Sequence, residues 1–63
     1  MNPETAPIDD VAHRLAEAGR VEVAWFLRGV RDAIDGREYA LGAAEAGQYR
    51  GEYRAGYRAA QSV

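Results

Sequence analysis

The chain has 63 residues, a formal charge of −2, no cysteine and a single histidine, His13. That inventory excludes disulfides and thiolate metal sites, and it leaves no nitrogen cluster for a metal ion. A chain this short buries only about 60% of the surface its unfolded form exposes, so its own core gives marginal stability. Oligomerisation or docking on a larger body remains as the source of further stability.

The charge is unevenly spread. Residues 1–48 carry nine acids and five arginines, a net of −4, whereas residues 49–63 carry one acid and three arginines, a net of +2. The C-terminal segment is the more cationic part, though far weaker than a basic tail. All eight cations are arginine, beside thirteen alanines. A GC-rich coding sequence accounts for this more simply than selection for planar, bidentate cations. The longest apolar run, Val23 to Leu27, is far too short to span a bilayer. The N-terminal residues lack the basic and apolar regions of a signal peptide, so the expected setting is a soluble, cytoplasmic one.

Residues 1–7 contain two prolines and no periodicity, and they read as a flexible arm ahead of a single helical domain over 8–63. Ile8, Val11, Ala12 and Leu15 then recur with the spacing of an amphipathic helix. Asp9 and Asp10 favour the positive end of that helix, and Gly19 is its expected stop.

The second helix is predicted from about Arg20 to Asp35. Val23, Phe26, Leu27, Val30, Ala33 and Ile34 fall in a stripe roughly 120° wide, with Glu22, Arg28 and Asp32 off it. This stripe is the main apolar face of the chain. Truncating Phe26 or Leu27 would cost about 2–5 kcal/mol if both are buried. Asp35-Gly36 ends the pattern, with Asp35 as an N-cap and Glu38 completing a capping box for the next helix.

The third helix is predicted to run from about Arg37 to Ala60. Gly42, Gly47, Gly51 and Gly56 each cost roughly 0.8–1 kcal/mol in a helix interior, so the segment needs packing to hold it. Two periodicities of four run through it. Ala43, Gly47, Gly51, Ala55 and Ala59 make a groove of small side chains that would admit another helix closely, in the geometry best known from membrane helices. Three tetrads beginning at Tyr49, Tyr53 and Tyr57 make a tyrosine ridge, with Arg50, Arg54 and Arg58 as a second ridge beside it. A step of four advances only about 40° around the helix, so each ridge is continuous. Groove and tyrosine ridge lie on nearly opposite sides. The chain can cover only one of them.

The tyrosine–arginine comb is either a core stripe edged by solvated arginines or a recognition surface. Tyrosine and arginine are enriched in binding hot spots, and the recognition reading is preferred. A protein partner is favoured over nucleic acid, because the acidic remainder of the chain opposes phosphate affinity. Trp25 lies about 150° from the centre of the aliphatic stripe on its own helix. It is read either as covered by a neighbouring helix or as a secondary partner anchor. Asp10, His13 and Glu17 have the spacing of a helical di-metal site without its ligand number, so no metal is expected. Thr5 and Ser62, the only hydroxyl side chains besides tyrosine, lie near the chain ends. The glycines lack the strand–turn–helix setting of a phosphate loop. No catalytic residue and no cofactor are assigned.

The stretch Tyr49 to Ala60, with its Tyr-Arg-Ala-Gly-Tyr core, resembles helices of the small ribosome modulation factor family, without that family's Cys-Pro-Tyr element. The resemblance implies a short helical protein that associates with ribosomes, and it is not adopted as the chain's family. The expectation is an all-α unit of a short helix, an amphipathic central helix and a long C-terminal helix. Its expected function is non-enzymatic: binding or regulation by occupying a surface of a larger protein through Tyr49, Arg50, Tyr53, Arg54, Tyr57, Arg58 and Trp25. The alternatives are an RNA- or ribosome-associated factor using the same comb, and a structural subunit of a homo-oligomer.

Overall fold

A computed structural model describes residues 3–62, and all regular structure among them is helical. Helix α1 spans Ala6–Glu17, α2 spans Val21–Asp35, α3 spans Tyr39–Ala46 and α4 spans Arg50–Gln61. A 3-10 turn, Gly47–Tyr49, joins the last two. The all-α class expected from the sequence is the class observed.

The amphipathic spacing and the flanking glycines place α1 and α2 close to their expected limits. Helix α1 begins earlier, because Pro7 sits in its first turn, where a missing N–H costs nothing. Residues 5–7 are therefore part of the fold rather than an arm; Met1 and Asn2 lie outside the described residues. Thr5 is buried, and its hydroxyl donates to Asp35 Oδ1 at 3.0 Å. That bond occupies the carboxylate expected to cap the third helix. Asp35 instead ends α2, and Glu38 precedes α3 without a side-chain cap bond. Gly36 closes α2 at φ +75°, which lets the Arg37 N–H donate to the Asp32 carbonyl at 2.9 Å.

The long third helix is broken in two. Gly47 adopts φ +57°, ψ −117°, a conformation closed to side chains with a Cβ, and the chain turns there. Helix α3 folds back so that Gly42 rests on the Tyr53 ring, where a methyl group would overlap the phenol. Helix α2 lies between α1 and α4 and packs most extensively on α4. Two glycines bring the backbones of α2 and α4 together. A Cβ on Gly29 would collide with the Tyr53 carbonyl, and one on Gly56 with the Phe26 carbonyl.

The consequence is a small core of unusual make-up. Its buried apolar residues are Ala12, Ala24, Ala43, Ala46 and Tyr53, and Trp25, Tyr49 and Tyr57 pack against the cluster of Ala43, Ala46 and Tyr53. The aliphatic stripe of α2 is not that core. Phe26 is 37% exposed and Ile34 49%, and Val23, Leu27, Val30 and Ala33 are only half-buried. Helix α2 turns its glycine and Asp32 towards α4, because backbone contact there brings the aromatic cluster together. Its most apolar face is left partly uncovered, with Phe26 and Ile34 exposed.

Candidate functional site

The tyrosine ridge faces inward. Tyr53 is 0% exposed, and its hydroxyl donates to Asp32 Oδ2 at 2.7 Å. Tyr49 and Tyr57 are half-buried, and the Tyr57 hydroxyl donates to the Arg37 carbonyl at 2.6 Å. Gly56 shares this inner face of α4, so the approach of α2 draws the tyrosines with it. The ring centroids of Tyr53 and Tyr57 are 5.9 Å apart, and Tyr39 from α3 stands 5.6 Å from Tyr53. Tyr53, assigned to partner contact from the sequence, is thus a core residue. Burial pushes its phenol well above the ordinary tyrosine range, and the hydrogen bond to the Asp32 carboxylate adds to the rise.

Trp25 is likewise drawn into the fold. It meets the Tyr53 ring edge-on at 6.3 Å, and the Arg28 guanidinium lies 4.7 Å from its ring centre. It is a member of the aromatic cluster rather than an exposed anchor. The small-residue groove is corrected too. Ala43 is buried in the core, but Gly47, Gly51, Ala55 and Ala59 are exposed, and a Cβ at Gly47 or Gly51 would meet nothing within 4 Å. No helix of this chain packs there; the close approach uses Gly29 and Gly56 instead.

The arginine ridge faces outward, and it differs from every other arginine. Arg14 pairs with Asp10, Arg20 with Glu22, and Arg28 covers Trp25. Arg31 bridges Asp9 and Asp32, and Arg37 bridges Asp32 and Glu45. The Glu45 bond holds the Arg37 guanidinium above its usual range and Glu45 below its own. Asp32, only 2% exposed, is thereby matched by two guanidinium groups and a phenol, which a buried carboxylate requires. Among the described residues, Arg50, Arg54 and Arg58 alone of the eight arginines have neither a carboxylate nor a ring partner. All three are exposed.

Two of them line a cleft. Arg54 and Arg58 stand with Tyr39, Tyr57 and Gln61 around a cavity of about 460 Å³, open to solvent on one side. Tyr39 and Tyr57 meet edge-to-face at 5.4 Å and 79°, a rigid aromatic wall. No acidic side chain lines it. Chemically, the cleft offers two unspent guanidinium forks and an amide against aromatic surface, a setting that holds a planar anion by paired hydrogen bonds. Continuing the arginine ridge one turn would have found Gln61. Tyr39 had no sequence signal, because it reaches α4 only through the turn at Gly47.

A second cleft, over α1, is lined by Ala6, Asp9, Asp10, His13, Arg28 and Arg31. Its polar groups are engaged locally: Asp9 with Arg31, Asp10 with Arg14, and His13 with Glu17. Among the described residues no group of three or more histidine, cysteine or acidic side chains is placed to hold a metal ion. No described helix is long and apolar enough to cross a membrane. Comparison with known proteins finds no matching family model, no matching curated protein and no matching solved structure.

Proposed function

We propose that this chain is a small, non-enzymatic binding protein that occupies a surface of a larger protein through the outer side of α4. The observation that carries the reading is the division among the arginines. Five are engaged within the fold, whereas Arg50, Arg54 and Arg58 have no carboxylate or ring partner among the described residues, and two of these border the cleft beside Tyr39 and Tyr57. Aromatic rings supply rigid contact area at low entropic cost, and guanidinium forks supply direction. The contact set inferred from the sequence is therefore narrowed. Arg50, Arg54, Arg58 and the exposed edge of Tyr57 stay, Tyr39 and Gln61 join them, and Tyr49, Tyr53 and Trp25, which pack in the aromatic core, leave.

The test is affinity capture from nuclease-treated cell extract with the native chain and with an Arg54→Ala/Arg58→Ala variant. A protein held by the native chain and lost by the variant supports the reading. Retention by both, or loss of everything on nuclease treatment, contradicts it.

A second reading, self-association, is favoured by the uncovered face of α2. Phe26 and Ile34 leave a large part of their apolar surface in water, which association would remove. A molar mass that rises with concentration in light scattering supports it; a constant monomer mass rejects it.

A further inference from the structure

We infer that the cleft formed by Tyr39, Arg54, Tyr57, Arg58 and Gln61 is a carboxylate-binding site for an acidic, extended peptide segment. The inference rests on the proposed binding function and assigns that function its chemistry.

Charge is the first ground. Among the described residues, the lining presents two guanidinium groups without a carboxylate or ring partner, and it contains no acidic side chain. Apart from Arg50, the arginines outside the cleft are satisfied internally, by carboxylates at Asp9, Asp10, Glu22, Asp32 and Glu45 or by the Trp25 ring. The missing counter-charge at Arg54 and Arg58 is therefore left for another molecule to supply.

Spacing is the second. Arg54 and Arg58 are four residues apart on α4, so their side chains start about 5–6 Å from each other along one face. Alternate residues of an extended chain are about 6.6 Å apart and point the same way. A segment with acidic residues at positions i and i+2 therefore offers one carboxylate to each guanidinium, and each fork can bind its carboxylate in bidentate fashion. Gln61 stands one turn further along the same face, as an amide for the backbone of that segment.

The aromatic wall is the third. Tyr57 is fixed by its bond to the Arg37 carbonyl, and Tyr39 leans on it edge-to-face. The backbone between the two acids would lie over Tyr39, which is 37% exposed, while the intervening side chain points away. A nucleic-acid strand would need cations beyond the cleft. The chain has only Arg50 to add, and the remaining 48 residues carry a net of −4.

The experiment is a nitrogen–proton NMR titration of the full chain, including the arginine Nε and glutamine side-chain signals. The probes are a capped Gly-Glu-Ala-Glu-Gly peptide, its Gln-for-Glu counterpart, inorganic phosphate and an oligouridine of similar length. The expected result is movement of the Tyr39, Arg54, Tyr57, Arg58 and Gln61 signals with the Glu peptide and not with the Gln peptide. Affinity should fall about tenfold or more in an Arg54→Gln/Arg58→Gln variant whose other signals are unmoved. No movement at these residues, equal movement with phosphate alone, or tighter binding of oligouridine would overturn the assignment. If the acidic peptide fails while the Arg54→Ala/Arg58→Ala variant still loses its captured protein, the acidic-segment chemistry is wrong and binding through α4 stands. Loss of both results removes the binding function as well.

Discussion

Tyr53 of α4 donates its phenol hydrogen to the buried carboxylate of Asp32 on α2, across 2.7 Å and 21 residues of chain. This bond ties the aromatic core to a carboxylate that Arg31 and Arg37 also engage. Three donors on one buried acid make Asp32 the polar centre of a fold whose apolar core is mostly alanine. Removing the acid strands a phenol and a half-buried guanidinium. Asp32→Ala should cost about 3–5 kcal/mol, enough to unfold so small a domain. Tyr53→Phe, which leaves two donors on the carboxylate, should cost about 1.5–3 kcal/mol. Urea unfolding followed by circular dichroism would check both, with the order Asp32→Ala above Tyr53→Phe as the decisive outcome.

The same bond predicts an alkaline limit. The folded-state phenol of Tyr53 titrates above its unfolded value, because burial and Asp32 both oppose its ionisation. Its contribution is therefore complete below the unfolded tyrosine value, near pH 10, and is lost progressively as pH rises above that value towards the folded one. Melting temperature should fall more steeply above pH 10 in the native chain than in Tyr53→Phe. Parallel profiles would contradict the assignment.

The glycines divide into two kinds that a single substitution separates. Gly56→Ala drives a methyl group into the Phe26 carbonyl, so the helices must part, at a cost of about 1–3 kcal/mol or more. Gly51→Ala meets nothing within 4 Å and places the best helix former in the first turn of α4, so stability should rise, by less than the ~0.8–1 kcal/mol of a helix interior. Opposite signs in thermal unfolding are the expected result.

Phe26 lies on the uncovered face of α2 and is 37% exposed. Phe26→Ala should cost about 1–2 kcal/mol, below the 3–5 kcal/mol typical of a fully buried phenylalanine. Denaturant unfolding at low protein concentration would measure it. A loss in the higher range would mean that this face is covered in solution.

Much of the fold can be read from the residues, and the limits have physical causes. The spacing of Ile8, Val11, Ala12 and Leu15 and the glycines after each helix define α1 and α2, because local periodicity and backbone freedom act within a few residues. The break at Gly47 hides in a sequence whose four-residue periods run straight through it. Its cause is tertiary, since α3 must fold over Tyr53. The direction in which α2 packs is also tertiary. The apolar stripe marks which face prefers to leave water, but the Gly29–Tyr53 and Gly56–Phe26 contacts decide which face meets α4. From its helix Asp32 shows only a place off the apolar stripe, because its phenol partner is 21 residues away. Of the candidate site, the arginine ridge is legible as an exposed row. Tyr39 is not, for the same reason that the break at Gly47 is not.

In the proposed function, α4 uses its tyrosines to fold and its arginines to bind. Melting temperature and partner capture, measured side by side for Tyr53→Ala and for Arg54→Ala/Arg58→Ala, separate the two roles. Tyr53→Ala should collapse the fold, whereas the arginine variant should melt as the native chain does and lose its captured protein. A folded Tyr53→Ala chain, or an arginine variant that still captures the protein, would contradict this division of roles.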